Sequence, residues 1–95
     1  MAEYILLMHD DAGPERDGWD GYIAGLVEGG HFRGGSAIGA GLCVRRAGAP
    51  PPPSPLTGFI RIEAADLAQA RALLAGNPAF EAGGTVEIRA LPRTD

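Results

Sequence analysis

Two spacings of hydrophobic residues divide the chain into strands and helices. Residues 4–8 form a continuous apolar run that ends at His9, which is typical of a central strand buried on both faces. After a turn-rich stretch, apolar residues recur every three or four positions. This spacing predicts a helix capped by Asp17 and ended by Gly29-Gly30. Its apolar face consists of Trp19, Tyr22, Ile23, Leu26 and Val27.

The middle of the chain alternates and then loses regular structure. Residues 31–35 form a glycine-bounded connector. Residues 36–46 predict a strand with Ile38, Ala40, Leu42 and Val44 on one face. Residues 49–55 hold five of the eight prolines, so we expect an extended loop there that is mobile and dispensable for folding. The chain returns as a strand over residues 56–62.

A second helix and a last strand complete the order. Asp66 and Gln69 have the spacing of a capping box, and the apolar face that follows consists of Leu67, Ala70, Leu73 and Leu74. The helix is predicted to stop at residues 76–78. The strand over residues 85–91 places Glu87 and Arg89 on one face. Cross-strand ion pairs are the simpler role for these charges, and a carboxylate-binding arginine, Arg61 or Arg89, is the alternative.

The order β-α-β-β-α-β predicts an α+β fold in a single domain over residues 1–95. Right-handed crossovers then give a four-stranded antiparallel sheet with both helices on one face. The other face would expose Ile5, Leu7 and Phe59 to water. Two sheets packed face to face would bury these side chains, so we expect a homodimer.

Charge and composition exclude several classes of function. The net charge is −4, and all eight basic residues are arginines scattered along the chain, which argues against nucleic-acid binding. The sequence has no apolar stretch long enough to span a membrane, and residues 1–3 do not begin like a signal peptide. Cys43 is the single cysteine, so an intramolecular disulfide is impossible. We expect a soluble cytoplasmic domain.

Three segments resemble the YCII-related domain family: residues 4–9, residues 30–36 and residues 76–89. The resemblance covers nearly the whole chain and implies a ferredoxin-like fold that assembles as a dimeric α+β barrel. One subgroup of the family carries an Asp-Gly-Pro-Phe motif before the third strand. This chain has a proline-rich stretch, residues 50–55, in its place.

The resemblance also implies a cleft, in which two residues of this chain differ from the family. In the active site proposed for the family, a histidine lies early in the first helix, and an aspartate precedes a proline after the second helix. Aligned by helix position, this chain has Trp19 and Asn77 there. Neither side chain titrates near neutral pH. The resemblance therefore implies a binding cleft that lacks this acid–base pair.

Five residues are candidates for the site. His9 lies beside Asp10 and Asp11 and is the remaining acid–base candidate, although a strand-end histidine bonded to the backbone fits the same pattern. Trp19 and Tyr22 suit either the core or an aromatic cleft wall. Asn77 and Glu81 would complete the cleft. His31 fits an exposed loop better than a site.

Metal and cofactor sites have little support in the sequence. Adjacent strand residues such as His9 and Asp10 point to opposite faces, and no second histidine follows at helical spacing. We therefore expect neither a metal nor a cofactor. The favoured function is a dimeric small-ligand-binding module. The alternatives are an isomerase, lyase or hydrolase that uses His9 with a carboxylate, and a regulatory partner protein that acts through its proline loop.

Overall fold

A computed structural model describes residues 1–14 and 17–92. These residues form four strands and three helices. The elements are β1 (Ala2–His9), α1 (Trp19–Glu28), β2 (Phe32–Ala37), β3 (Leu56–Ala64), α2 (Leu67–Ala72), α3 (Pro78–Glu81) and β4 (Val86–Ala90).

The four strands form one antiparallel sheet in the order β2-β3-β1-β4, which confirms the predicted α+β class and antiparallel sheet. The two central strands make the longest ladder, from Ala2 opposite Ala64 to Met8 opposite Gly58. The register shifts between Met8 and His9. Strands β2 and β4 are the edges of the sheet.

The core lies between the sheet and the helices. Alternate residues of the central strands point into it, and Leu6 and Ile62 are fully buried. The helices and the turn after α2 cover these residues with Tyr22, Leu26, Ala70 and Leu74. The prediction that the first strand is buried on both faces is wrong. Ile5 and Leu7 are only half-buried, because the helices cover one face of the sheet.

The uncovered surface is called the open face here. In the strand register, the odd-numbered residues of β1 lie beside the odd-numbered residues of β3 and β4. Leu7, for example, lies opposite both Phe59 and Glu87. The open face consists of Glu3, Ile5, Leu7, His9, Phe59, Arg61, Glu63, Glu87 and Arg89. The apolar centre predicted from the sequence therefore exists, and charged residues surround it.

The predicted strand over residues 36–46 is mostly wrong. Strand β2 begins at Phe32 and ends at Ala37, and residues 38–46, called the arm here, have no regular structure. An alternating pattern makes a strand only where backbone groups find partners, and prolines in the returning segment cannot donate hydrogen bonds. The arm leaves Leu42 77% exposed and Val44 80% exposed.

Helices α1 and α2 depart from prediction at three points. Gly18, not Asp17, occupies the N-cap of α1 and makes no side-chain capping bond. The capping box of α2 is confirmed on one side, since Gln69 N donates to Asp66 Oδ1 at 2.8 Å. Gln69 Oε1 accepts from the backbone of Ala65 instead of Asp66. The apolar faces are narrower than predicted, because Val27 and Leu67 are each 57% exposed.

Helix α2 ends at Ala72, earlier than the stop predicted at residues 76–78, and the Asn77-Pro78 pair starts α3 instead. Asn77 accepts a hydrogen bond from Phe80 N through Oδ1 at 3.1 Å, and Pro78 occupies the first turn. An asparagine N-cap followed by a proline is a helix-start signal as well as a turn signal. Helix α3 is short, and its cap holds the chain in place as it returns toward β4.

Candidate ligand-binding site

A cavity of about 430 Å³ opens between α1 and the β2–β3 side of the sheet. Helix α1 contributes Trp19 and Ile23, and the end of β1 contributes Met8. Phe32 of β2 is a second aromatic wall. The remaining lining residues, all from β2 and β3, are Gly35, Ser36, Ala37, Thr57, Gly58, Phe59 and Ile60. This lining contains two aromatic rings on the helix side of the sheet and no charged residue.

Trp19 is the first residue of α1, and its neighbour holds it in place. Its ring meets that of Tyr22 edge to face, with centroids 6.1 Å apart. Tyr22 is anchored in turn, because its hydroxyl donates to Leu73 O at 2.7 Å. The indole is half-buried, so part of it is free to contact a ligand.

Two glycines allow the strands below the cavity to approach closely. A Cβ atom at Gly35 would lie 2.6 Å from Phe59 O, and one at Gly58 would lie 3.1 Å from Ser36 O. Real Cβ atoms do not tolerate the first distance. Both glycines line the cavity, so the close approach of β2 and β3 sets the shape of this wall.

Tyr22 and Asn77 lie in the interior. Asn77 is fully buried, and its Nδ2 atom has no hydrogen-bond partner among the described residues. Burial raises the pKa of the Tyr22 hydroxyl, and the side chain of Asn77 offsets part of this shift. The contacts of these two residues hold α1, α2 and α3 together.

Ion pairs on the open face link neighbouring strands. Arg61 Nη2 lies 2.9 Å from Glu3 Oε1, joining β3 to β1, and Arg33 pairs with Glu63 to join β2 to β3. Arg89 Nη1 lies 3.3 Å from Glu87 Oε2 on the same strand. The cross-strand interpretation is confirmed for Arg61 and Glu63, whereas Arg89 pairs within its own strand. Both candidate carboxylate-binding arginines already have carboxylate partners.

His9 pairs with Glu87 on the open face. Nε2 of His9 lies 3.0 Å from Oε1 of Glu87. The hydrogen bond from His9 is the largest cause that holds the pKa of Glu87 below its usual range, and Arg89 adds to it. The expected carboxylate partners were Asp10 and Asp11. Asp11 instead accepts hydrogen bonds from the hydroxyl and the backbone N–H of Thr85, which lower its pKa.

The structure brings the predicted site residues together only in part. Trp19 lines the cavity, and Tyr22 lies between it and Asn77. Glu81 lines a separate depression with Gly18, Gly76 and Pro78. The side chain of His9 lies on the open face, whereas Trp19 and Tyr22 lie on the helix-covered face.

Sequence reasoning missed the second wall of the cavity and the partner of His9. Phe32 was assigned to a connector, although it begins β2 and faces the core side opposite Ile62. Glu87 is 78 residues from His9 in the chain. The alternation along the last strand correctly put Glu87 and Arg89 on one face. Only the register between β1 and β4 shows that this face lies beside His9.

Within residues 1–14 and 17–92, no group of three or more His, Cys, Asp and Glu side chains is placed to hold a metal ion. None of the helices in this part of the chain is long and apolar enough to cross a membrane. No protein-family model matches the chain, and no curated protein sequence matches it.

Proposed function

We propose that the protein is a small-ligand-binding domain of the YCII-related type, with a ferredoxin-like fold. The strand order β2-β3-β1-β4 and the helices on one face support this assignment. The observation that carries the ligand proposal is the cavity beneath Trp19. Its volume of about 430 Å³ lies in the range of small-molecule pockets.

The lining favours a flat and largely apolar ligand. Trp19 and Phe32 offer aromatic faces and edges, on which planar groups stack. Met8, Ile23 and Ile60 supply the remaining apolar surface, and a methionine adapts its shape to a ligand. Hydroxyl and backbone groups are the polar atoms in this lining, so the ligand is neutral and has few hydrogen-bonding groups.

Trp19 is the chain's one tryptophan, so its fluorescence reports on the cavity without labelling. Titration with Nile red, a neutral planar dye, should quench Trp19 emission saturably. Ala37 lines the cavity, and Ala37→Leu should fill part of it and weaken dye binding at least about tenfold, or about 1.4 kcal/mol.

The matched control is Ala24→Leu, which makes the same change at an exposed position of α1. It should bind the dye as the unsubstituted protein does. Equal affinity in both variants, or dye binding that leaves Trp19 emission unchanged, would contradict the proposed site.

We also propose that the open face forms a homodimer, in a dimeric α+β barrel. Ile5, Leu7 and Phe59 are half-buried at its centre, and ion pairs surround them. A stable interface of this kind buries roughly 1,200–2,000 Å² or more. The protein should therefore sediment as a dimer at micromolar concentration.

Leu7→Arg should shift this dimer toward monomer, because it places an unpaired charge at the centre of the contact. Val27→Arg makes the same kind of change on an exposed helix position and should leave the mass unchanged. A dimer dissociation constant that Leu7→Arg leaves unchanged would show that the open face is not the interface.

The alternative functions rest on narrower observations. The His9–Glu87 pair supports an isomerase, lyase or hydrolase, since a carboxylate orients a histidine for proton transfer. A bell-shaped pH–rate profile that His9→Gln abolishes would favour it. A regulatory partner protein acting through the exposed residues 50–55 would be favoured by a partner whose binding requires those prolines.

A further inference from the structure

The arm, residues 38–46, has the sequence of a strand but pairs with no strand among residues 1–14 and 17–92. Ile38, Ala40, Leu42 and Val44 alternate with small or polar residues. Leu42 and Val44 are among the most exposed large apolar side chains of the described residues. An extended segment with free backbone groups and an apolar stripe is the usual form of a strand that completes another sheet.

We propose that the arm adds as a fifth strand to the outer edge of β4 in a second copy of this chain. The exchange is reciprocal, so that each copy gives one arm and receives one, as a twofold dimer requires. This inference does not rest on the ligand-binding proposal or on the open-face dimer.

The arm is too short to pair along the whole of β4 in its own chain. Ile38 N donates to Thr57 O of β3, which fixes the start of the arm at the β2–β3 side of the sheet. Beyond β3, the strands β1 and β4 follow, so a strand added outside β4 would lie about 19 Å from β2 at the usual strand spacing. Two residues span at most about 7 Å, so residue 40 cannot reach that position and residues 40–44 cannot all pair there.

The outer edge of β4 is regular, and no strand of the described part of the chain pairs with it. Two hydrogen bonds join β4 to β1, one from His9 N to Thr85 O and one from Leu91 N to Glu3 O. The backbone N–H and C=O groups of the odd-numbered β4 residues therefore point toward β1. The backbone groups of Val86, Ile88 and Ala90 therefore point outward. The β1–β4 ladder has no register shift, and β4 has five residues, the length of residues 40–44.

The other edge of the sheet is a poorer acceptor. Strand β2 contains a register shift between Phe32 and Gly35, and Gly34 has a φ of 114°. Such a bulge breaks the row of outward N–H and C=O groups, which is how natural edge strands avoid pairing. The β4 edge has no such interruption, and its half-buried Val86 and Ile88 would gain apolar neighbours from Leu42 and Val44.

Cys43 is the chain's one cysteine and lies on the arm, so a nitroxide label reports on the arm directly. In the unsubstituted protein, the label should be motionally restricted, and label-to-label distances should form one narrow distribution. The double variant Leu42→Asp with Val44→Asp should release the label and abolish the narrow distance distribution. Val27→Asp, at an exposed apolar position outside the arm, should change neither readout.

A mixing experiment tests the acceptor edge. Ala90→Pro removes one outward N–H from β4 while the Leu91 bond to Glu3 remains, so this variant keeps its arm but loses its edge. On its own, this variant should have a mobile Cys43 label. The label should become restricted when an excess of the unlabelled triple variant Leu42→Asp, Val44→Asp, Cys43→Ser is added, because that protein supplies an intact β4 edge. Excess unlabelled Ala90→Pro, Cys43→Ser protein should have no effect.

Two results would overturn the proposal. One is a label on the unsubstituted protein that moves as freely as on the arm double variant. The other is a label on Ala90→Pro that stays mobile in the presence of an intact edge. Circular dichroism of each protein checks folding. The arm variants stay informative if Ala90→Pro fails to fold, because the side chains of Leu42 and Val44 are exposed within the chain.

Discussion

Leu6→Ala should lower the free energy of unfolding by about 3 kcal/mol, within the 2.7–5 kcal/mol measured for buried leucines elsewhere. Leu6 is fully buried at the centre of the sheet, between Ile60 of β3 and Ile88 of β4. Truncation removes apolar contact and leaves a cavity that two fixed neighbouring strands cannot close. For a chain of this length, the melting temperature should fall by roughly 12–24 °C.

Leu67→Ala is the control for this prediction. It makes the same chemical change at a position that is 57% exposed on α2. The free energy of unfolding should change by no more than about 0.5 kcal/mol. Both variants should be unfolded in urea at one protein concentration, because dimer formation makes apparent stability depend on concentration. Similar losses in the two variants would show that the core is not centred on Leu6.

Gly35→Ala should also destabilise the fold, by about 1–3 kcal/mol, and should weaken ligand binding in the cavity. The new Cβ would lie 2.6 Å from Phe59 O and 3.2 Å from Ile60 Cα. Both atoms belong to the backbone of β3, so β2 must move away from β3 to relieve the contact. That movement shifts Phe32 and Ala37, which line the cavity from the same strand.

The control is Gly21→Ala on α1, where the added Cβ would meet no atom within 4 Å. Alanine is the better helix former by about 1 kcal/mol, so this variant should be more stable than the unsubstituted protein. The two glycine variants therefore have predicted effects of opposite sign. A stabilised Gly35→Ala would mean that β2 and β3 are farther apart than the structure places them.

Local patterns predicted the parts of the fold that local contacts decide. The period of the apolar residues located α1 and β3, and the spacing of Asp66 and Gln69 located the start of α2. The strand prediction for residues 38–46 failed because alternation describes only a side-chain pattern, whereas a strand also needs hydrogen-bond partners for its backbone. Asn77-Pro78 was interpreted only as a helix stop because asparagine and proline also favour turns, whereas in the structure they start α3.

The candidate site was harder to predict because its parts are far apart in the chain. Trp19 was a candidate from its place at the start of α1, and it does line the cavity. Phe32 joins it only because β2 begins earlier than its glycines suggested. The pairing of His9 with Glu87 depends on the β1–β4 register, which no short sequence pattern specifies.

The pairing of β1 has a consequence for how the chain folds. Its residues bond to partners near positions 60 and 88, so both of its ladders close very long loops. Long-range pairing of this kind slows folding, because the entropy of loop closure is lost before the contacts form. On the ribosome, residues 4–8 would emerge before β3 and remain an unpaired apolar strand until β3 has been synthesised. The nascent chain should therefore be most prone to aggregation during that interval.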